Sequence, residues 1–398
     1  MSGRLAAYRP WGVASENRSQ RGRFCRIRRR KSPAMGQEGG EKRSAAVTLQ
    51  PTIPKPDRLL IAALALLWAC VFGVVAQPAG VLTPREHQRG AEQTYLTFPE
   101  WYLVHSPAEY AVFVRDHRPD DFPFWGHIGQ FWSSYRAVTA ASRDYPFNGG
   151  YHAMIMVIGT STTVEYMLRS AYETLAGRLS GLTQTHGMSA EDKLGAKVAQ
   201  DYVDFIRALP WYEFDFVAPL KTLWFGTDWF GPDLLRKWER RYALTTEYGV
   251  KAAYAGLIKL ATRAAFDEAP LVTAVVLDRL PAGIETELRE LQVLQRYPDG
   301  AVLALVPRYE AFKVVAAKLA AAGVKFREIA GNRGAILVSA LVPQAWQPGA
   351  GDSVLFTQPV ITRPGEQRVA LVTTVAALAD ALGRFNVPGA VLEHVYDY

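Results

Sequence analysis

Five of the seven histidines cluster in one part of the chain, at His87, His105, His117, His127 and His152, with Glu100, Glu109 and Glu165 interleaved. Imidazoles that converge from separate elements can hold a metal ion or a haem. His105, His127 and His152 fall on three different expected helices or helix starts, which makes them the metal-ligand candidates. Glu100 and Glu165 are the candidate catalytic carboxylates, acting as further ligands or in acid–base work. No HExxH, HxxxH or ExxH pattern places two of these groups on one helix face. The alternative is structural, with imidazoles capping helices or hydrogen-bonded in an aromatic core. His152 and Glu165 stand thirteen residues apart, roughly 20 Å along a continuous helix, so they cannot touch. Arg169 lies four residues after Glu165, the spacing of a surface ion pair.

Other motifs are weaker. Gly126-His-Ile-Gly129 has neither the lysine nor the preceding strand of a phosphate loop. Ser133-Ser134 and Ser161-Thr162-Thr163 lack a nucleophile elbow. Gly331-Asn-Arg-Gly334 has the composition of a tight hairpin, and His394 sits in an expected edge strand.

These residues belong to an aromatic, helical region expected from about Tyr95 to Asp267. Pro99 suits the first turn of a short helix, and Ser106-Pro107-Ala-Glu109 reads as the capping box of a second. A further helix is expected from Phe124 to about Ser142. Tyr151–Leu168 is apolar but carries His152, four hydroxyl residues and Glu165. An ionised Glu inside a bilayer costs about 2.5–3.5 kcal/mol, so this segment is read as a buried helix, with a second membrane span as the alternative. Ser189-Ala-Glu-Asp192 is another capping box. Eight of residues 211–230 are aromatic, a stretch that suits either a membrane interface or a core plug. A long helix follows from Gly231-Pro232 to about Phe266. Lys251, Lys259 and Arg263 form its basic face, opposite Tyr254, Leu257, Ile258 and Ala261.

At Pro270 the pattern changes. Short apolar runs at 271–277, 301–306, 325–330, 335–342, 354–361, 368–373 and 390–396 read as strands, with 325–330 and 335–342 forming a hairpin. Helices are expected at Ile284–Leu294, Tyr309–Ala322 (closed by Gly323) and Val375–Leu382. This order predicts one ferredoxin-like α+β sandwich over 270–398. No internal repeat is evident in the sequence.

The sequence before position 95 sets the expected location. Residues 1–58 hold 14 Lys and Arg against 4 Asp and Glu, while the whole chain is +7. The remainder therefore carries 31 basic and 34 acidic side chains, a net of −3, which removes the electrostatic footprint of nucleic-acid binding from the folded part. Residues 1–58 read as a disordered basic leader, with Met1 or Met35 as its start. Leu59–Ala76 is an uncharged apolar run of eighteen residues, close to the length that spans a bilayer. The cations just before it orient it as an uncleaved signal anchor with a cytoplasmic N-terminus; cleavage after Val74-Val75-Ala76 is the alternative. Residues 77–94 read as a polar linker. Both cysteines, Cys25 and Cys70, lie before the folded part, which excludes disulfides and thiolate zinc sites from it.

The sequence therefore predicts an α+β protein: a transmembrane helix, a helical domain at 95–267 with membrane-contacting segments at 151–168 and 211–230, and a ferredoxin-like domain. Its expected location is a bacterial inner membrane, with the folded part outside the cytoplasm. Its partners are the lipid bilayer, met through Leu59–Ala76, and a protein or small molecule. The absence of a catalytic signature favours a non-enzymatic binding module. The alternative is a metal- or haem-dependent enzyme built on His105, His127 and His152.

Overall fold

A computed structural model describes residues 80–90, 95–265, 271–349 and 352–396. The basic leader and the apolar run Leu59–Ala76 lie outside the described residues.

The first half is helical. It contains α1 (Thr97–Phe113), α2 (Phe124–Ala141), α3 (Gly149–Tyr172), α4 (Ala190–Ile206), α5 (Val217–Phe225) and α6 (Leu234–Ala265). The sequence divides α1 at Pro107, but the structure keeps one helix through it. A proline inside a helix removes one backbone hydrogen bond and costs about 3 kcal/mol. Burial on both sides of Pro107 offsets this: Phe98, Tyr102, His105, Ser106, Glu109 and Ala111 are all buried. Ser106 is therefore no cap, and its hydroxyl meets the Tyr166 hydroxyl and the His127 ring instead. The capping box at Ser189 forms as its sequence predicts, with the Ser189 side chain accepting from Asp192 N at 3.0 Å. The helix α3 runs through the expected apolar segment and continues by a π turn, Glu173–Gly177, into Arg178–Gly181.

The second half holds two four-stranded antiparallel sheets. Sheet one has β1 (Val272–Leu277), β2 (Gln292–Arg296), β3 (Val302–Pro307) and β4 (Phe326–Ile329), in the order β2-β3-β1-β4. Sheet two has β5 (Ala335–Pro343), β6 (Ser353–Pro359), β7 (Glu366–Thr374) and β8 (Val391–Val395), in the order β6-β7-β5-β8. The second order is the first with four added to every strand. A helix precedes the last strand of each set, α7 (Tyr309–Ala321) and α8 (Leu378–Gly383). The fold thus repeats where the sequence shows no repeat.

This arrangement corrects the expected single sandwich and its hairpin. Segments 325–330 and 335–342 are strands, but they enter different sheets. Gly331 adopts φ +73°, and Asn332 closes the turn by accepting from Gly334 N and donating to the Ala335 carbonyl. The chain is thereby passed from one sheet to the next. The expected helix at Ile284–Leu294 shrinks to one turn, Ile284–Glu287, before β2.

One core joins the two sheets. Val275, Phe326 and Ile329 of sheet one, Val338, Ala340 and Val369 of sheet two, and Phe312 and Leu378 of the helices share it. The other face of sheet two offers Leu337 and Ala370, which pack with Tyr95, Leu96, Phe98 and Val138 of the helical half. Covered on both faces, β5 reads as a nearly continuous apolar run. The segment before α1 is docked rather than free. Glu328 of β4 accepts from the backbone N–H groups of Leu82 and Thr83 and from the Thr83 hydroxyl.

Candidate functional site

The candidate histidines and carboxylates divide between two places. His105 and His127 lie in a sealed junction where α1 and α2 meet sheet two. Glu100 and Glu165 line a cavity among α1, α3, α4 and α6. His152 belongs to neither: its ring stacks on Phe147 and its Nδ1 meets the Tyr135 hydroxyl at 2.9 Å. Among the described residues, no group of three His, Cys, Asp or Glu side chains is arranged to hold a metal.

The junction is built on Arg368 of β7, whose guanidinium is essentially inaccessible. It donates from Nη2 to Glu109 Oε1 at 2.8 Å, and from Nε and Nη2 to the two oxygens of Glu393 at 2.7 and 2.8 Å. Two carboxylates from distant segments, one on α1 and one on β8, thus share one cation. His105 places Nδ1 3.3 Å from Glu393 Oε1 and Nε2 3.3 Å from the Tyr396 hydroxyl. His127 stacks on Phe122 and sets Nδ1 3.0 Å from Ser106 Oγ. Its Nε2 lies 3.7 Å from Glu109 Oε2 and makes no hydrogen bond.

Burial dominates the titration here. It lowers His105 to about 4, although Glu393 opposes the shift. Burial, reinforced by the positive charge of Arg368, lowers His127 to about 3. Both rings are therefore neutral at neutral pH. Burial alone would raise Glu393, but Arg368 and His105 outweigh it and hold the carboxyl at about 2. Closed to solvent and tied together by one cation shared between two carboxylates, this cluster is suited to holding the helical half on sheet two.

The cavity encloses about 1240 Å³. Its lining runs along α1 from Glu100 to Val114, about 21 Å at the helical rise. Most of the wall is apolar or aromatic. At one end, Glu100 accepts from the Tyr151 hydroxyl at 2.6 Å, and burial raises its pKa. At mid-length four charges alternate. Arg169 Nη1 lies 3.7 Å from Glu165 and 3.6 Å from Glu247, and Lys251 Nζ lies 3.3 Å from Glu165 and 2.8 Å from Glu247. The Arg169 guanidinium also sits 4.4 Å from the centre of the Tyr110 ring, a cation–π contact. Burial would raise Glu247, but Arg169 and Lys251 hold it at about 2. Burial pushes Tyr110 and Tyr202 up to about 12. Beyond these charges, the π turn sets Glu173 against Arg240 in a two-pronged pair, both contacts 2.9 Å. A π turn shifts the side-chain register of a helix and is often found at functional positions.

The pairing of Glu165 with Arg169 is legible from their spacing. The orientation of α6 is not. Its basic side chains were expected on an outer face, yet Lys251 and Lys259 turn inward to Glu165, Glu247 and Glu213, while Leu257 is exposed. The four-residue spacing of Glu247 and Lys251 was the available signal. Nothing in the sequence links Glu109 to Arg368, which stand 259 positions apart.

Compared with protein-family models, with curated proteins and with solved structures, the chain matches none.

Proposed function

We propose that the protein is a non-enzymatic ligand-binding module tethered to a membrane by Leu59–Ala76. In this reading its second half consists of ferredoxin-like units and its location is the outer side of a bacterial inner membrane. The observation that carries the binding role is the cavity. Ligand sites are concave, mostly apolar and equipped with few, well-placed polar groups, and drug-sized ligands occupy roughly 300–1,000 Å³. At about 1240 Å³ this cavity suits an elongated amphiphile, its apolar length along α1 and its polar group at Glu165, Arg169, Glu247 and Lys251. Both charge signs are present there, so the complementary group is zwitterionic or a neutral hydrogen-bonding one.

The ferredoxin-like part of the proposal draws on the strand order. Read from its fourth strand, each sheet runs 4-1-3-2 with antiparallel neighbours, an order compatible with a split β-α-β arrangement whose first helix is one turn in the first set.

The test uses the full chain in phospholipid nanodiscs, released inside a mass spectrometer. A retained small molecule is the expected result. Ala196→Trp, which fills the cavity from α4, should lower its occupancy at least ~10-fold, equivalent to about 1.4 kcal/mol. A chain that releases no small molecule, or an A196W variant that retains it equally, overturns the reading.

A further inference from the structure

The helices α3 and α6 invert the usual arrangement of a water-facing helix. They lie side by side and antiparallel: Tyr172 meets the Glu239 carbonyl, Arg169 meets Glu247, and Glu165 meets Lys251. Between Tyr242 and Leu260 the charged residues are Glu247, Lys251 and Lys259, and all three pair inward. Between Gly149 and Leu182 they are Glu165, Arg169, Glu173 and Arg178; the first three pair with α6 or with each other, and Arg178 is exposed.

Arg178 apart, the exposed side chains of these two stretches are uncharged. Val164, Leu168, Leu175, Leu179 and Leu182 are each at least half exposed, a line about 27 Å long at the helical rise. On α6, Tyr242, Val250, Leu257 and Leu260 are more than 60 % exposed. Phe225 and Phe230, just before α6, are more exposed still. By contrast, α4 shows water ordinary charges, Lys197 and Asp201 among them.

We infer that the outer faces of α3, with its continuation to Leu182, and of α6 form a lipid-facing surface that rests in the apolar layer of a bilayer. Charges paired on the cavity side, with side chains outside that are uncharged except for Arg178, are what a lipid environment selects. A second copy of the chain is a poorer occupant. Helix pairing in water uses charges flanking the seam to set register, and here those charges face the cavity. No helix among the described residues is long and apolar enough to cross a membrane, so the surface lies along the bilayer. The inference deepens the membrane reading above by naming the part of the folded chain that meets lipid.

The test places the full chain in phosphatidylcholine vesicles containing a diazirine-tagged phosphatidylcholine, and maps the adducts after photolysis. Adducts are expected on peptides covering 154–182 and 242–260, and not on 193–204. The double variant Leu168→Glu, Leu257→Glu alters exposed positions only. It should melt at the same temperature as the parent and lose adducts on both peptides about tenfold. Unlabelled 154–182 and 242–260 overturn the surface, in favour of a second copy if the particle proves dimeric through these helices. Adducts on 59–76 are read separately. Their absence overturns the anchor, and the lipid-facing surface stands if its own peptides are labelled.

Discussion

Two internal clusters are built from the same kinds of residue and differ in their surroundings. The junction cluster sets Glu109 and Glu393 around Arg368, with neutral His105 and His127 beside them. The cavity cluster alternates Glu165, Arg169, Glu247 and Lys251. Arg368 and Glu109 are almost wholly excluded from solvent, whereas the Glu165 side chain is 41 % exposed. None of Glu109, Glu393, Arg368, His105 and His127 lines the cavity, whereas Glu165, Arg169, Glu247 and Lys251 form part of its wall. Accessibility, rather than residue type, separates the two clusters.

The largest break in that comparison is expected from Arg368→Met. It leaves two buried carboxylates facing each other without a cation, and removing one partner of a buried ionic group costs about 3–5 kcal/mol. Urea denaturation should show a loss of that size. A loss under 1 kcal/mol would mean that water reaches the junction.

Next in size is a dependence on pH. Folding lowers His105 to about 4 and His127 to about 3 from the ordinary 6.5. Below pH 6.5 the unfolded chain takes up protons that the native chain does not. Stability therefore falls as the pH drops from 6.5 toward those values, by up to about 1.4 kcal/mol per pH unit for each ring. Unfolding midpoints between pH 6.5 and 5 measure this slope, and His127→Phe should remove one ring's share of it. An unchanged slope in that variant would place the titration elsewhere.

The smallest effect on stability is expected in the cavity. Lys251→Met removes a cation from a cluster in which Arg169 remains beside both carboxylates, and partly exposed pairs contribute about 0–1 kcal/mol. The same change should shift which molecules the cavity retains, read as a changed set of ejected masses. A destabilisation matching that of Arg368→Met would remove the distinction between the two clusters.

What could be read in advance was local. The capping box at Ser189, the helix stop at Gly323, the ion pair at Glu165 and Arg169, and most strand positions depend on neighbours within a few residues. The mixed α+β class followed from them. What could not be read depends on partners far apart in sequence. Pro107 signals a helix start until the packing of Tyr102, His105 and Glu109 on either side holds the helix together. Lys251 looks like a solvated charge until α3 supplies Glu165. The repeated strand order leaves no trace because only the alternation of apolar positions needs to be kept, and many sequences satisfy it. Glu100 and Glu165, singled out for their nearness in sequence to the histidines, line the cavity, while His127 and His152 stack on Phe122 and Phe147, five residues before each, and His105 meets Glu393 and Tyr396 from the far end of the chain.

The attachment of Leu82 and Thr83 to Glu328 also has a mechanical meaning. The chain upstream of Gly80 joins the folded part through a strap whose backbone is gripped by a strand of sheet one and whose Arg89 N–H reaches the Ala330 carbonyl. A pull on the upstream chain is therefore taken up by several hydrogen bonds on a sheet before it reaches α1. Load applied there falls first on sheet one rather than on the helices around the cavity.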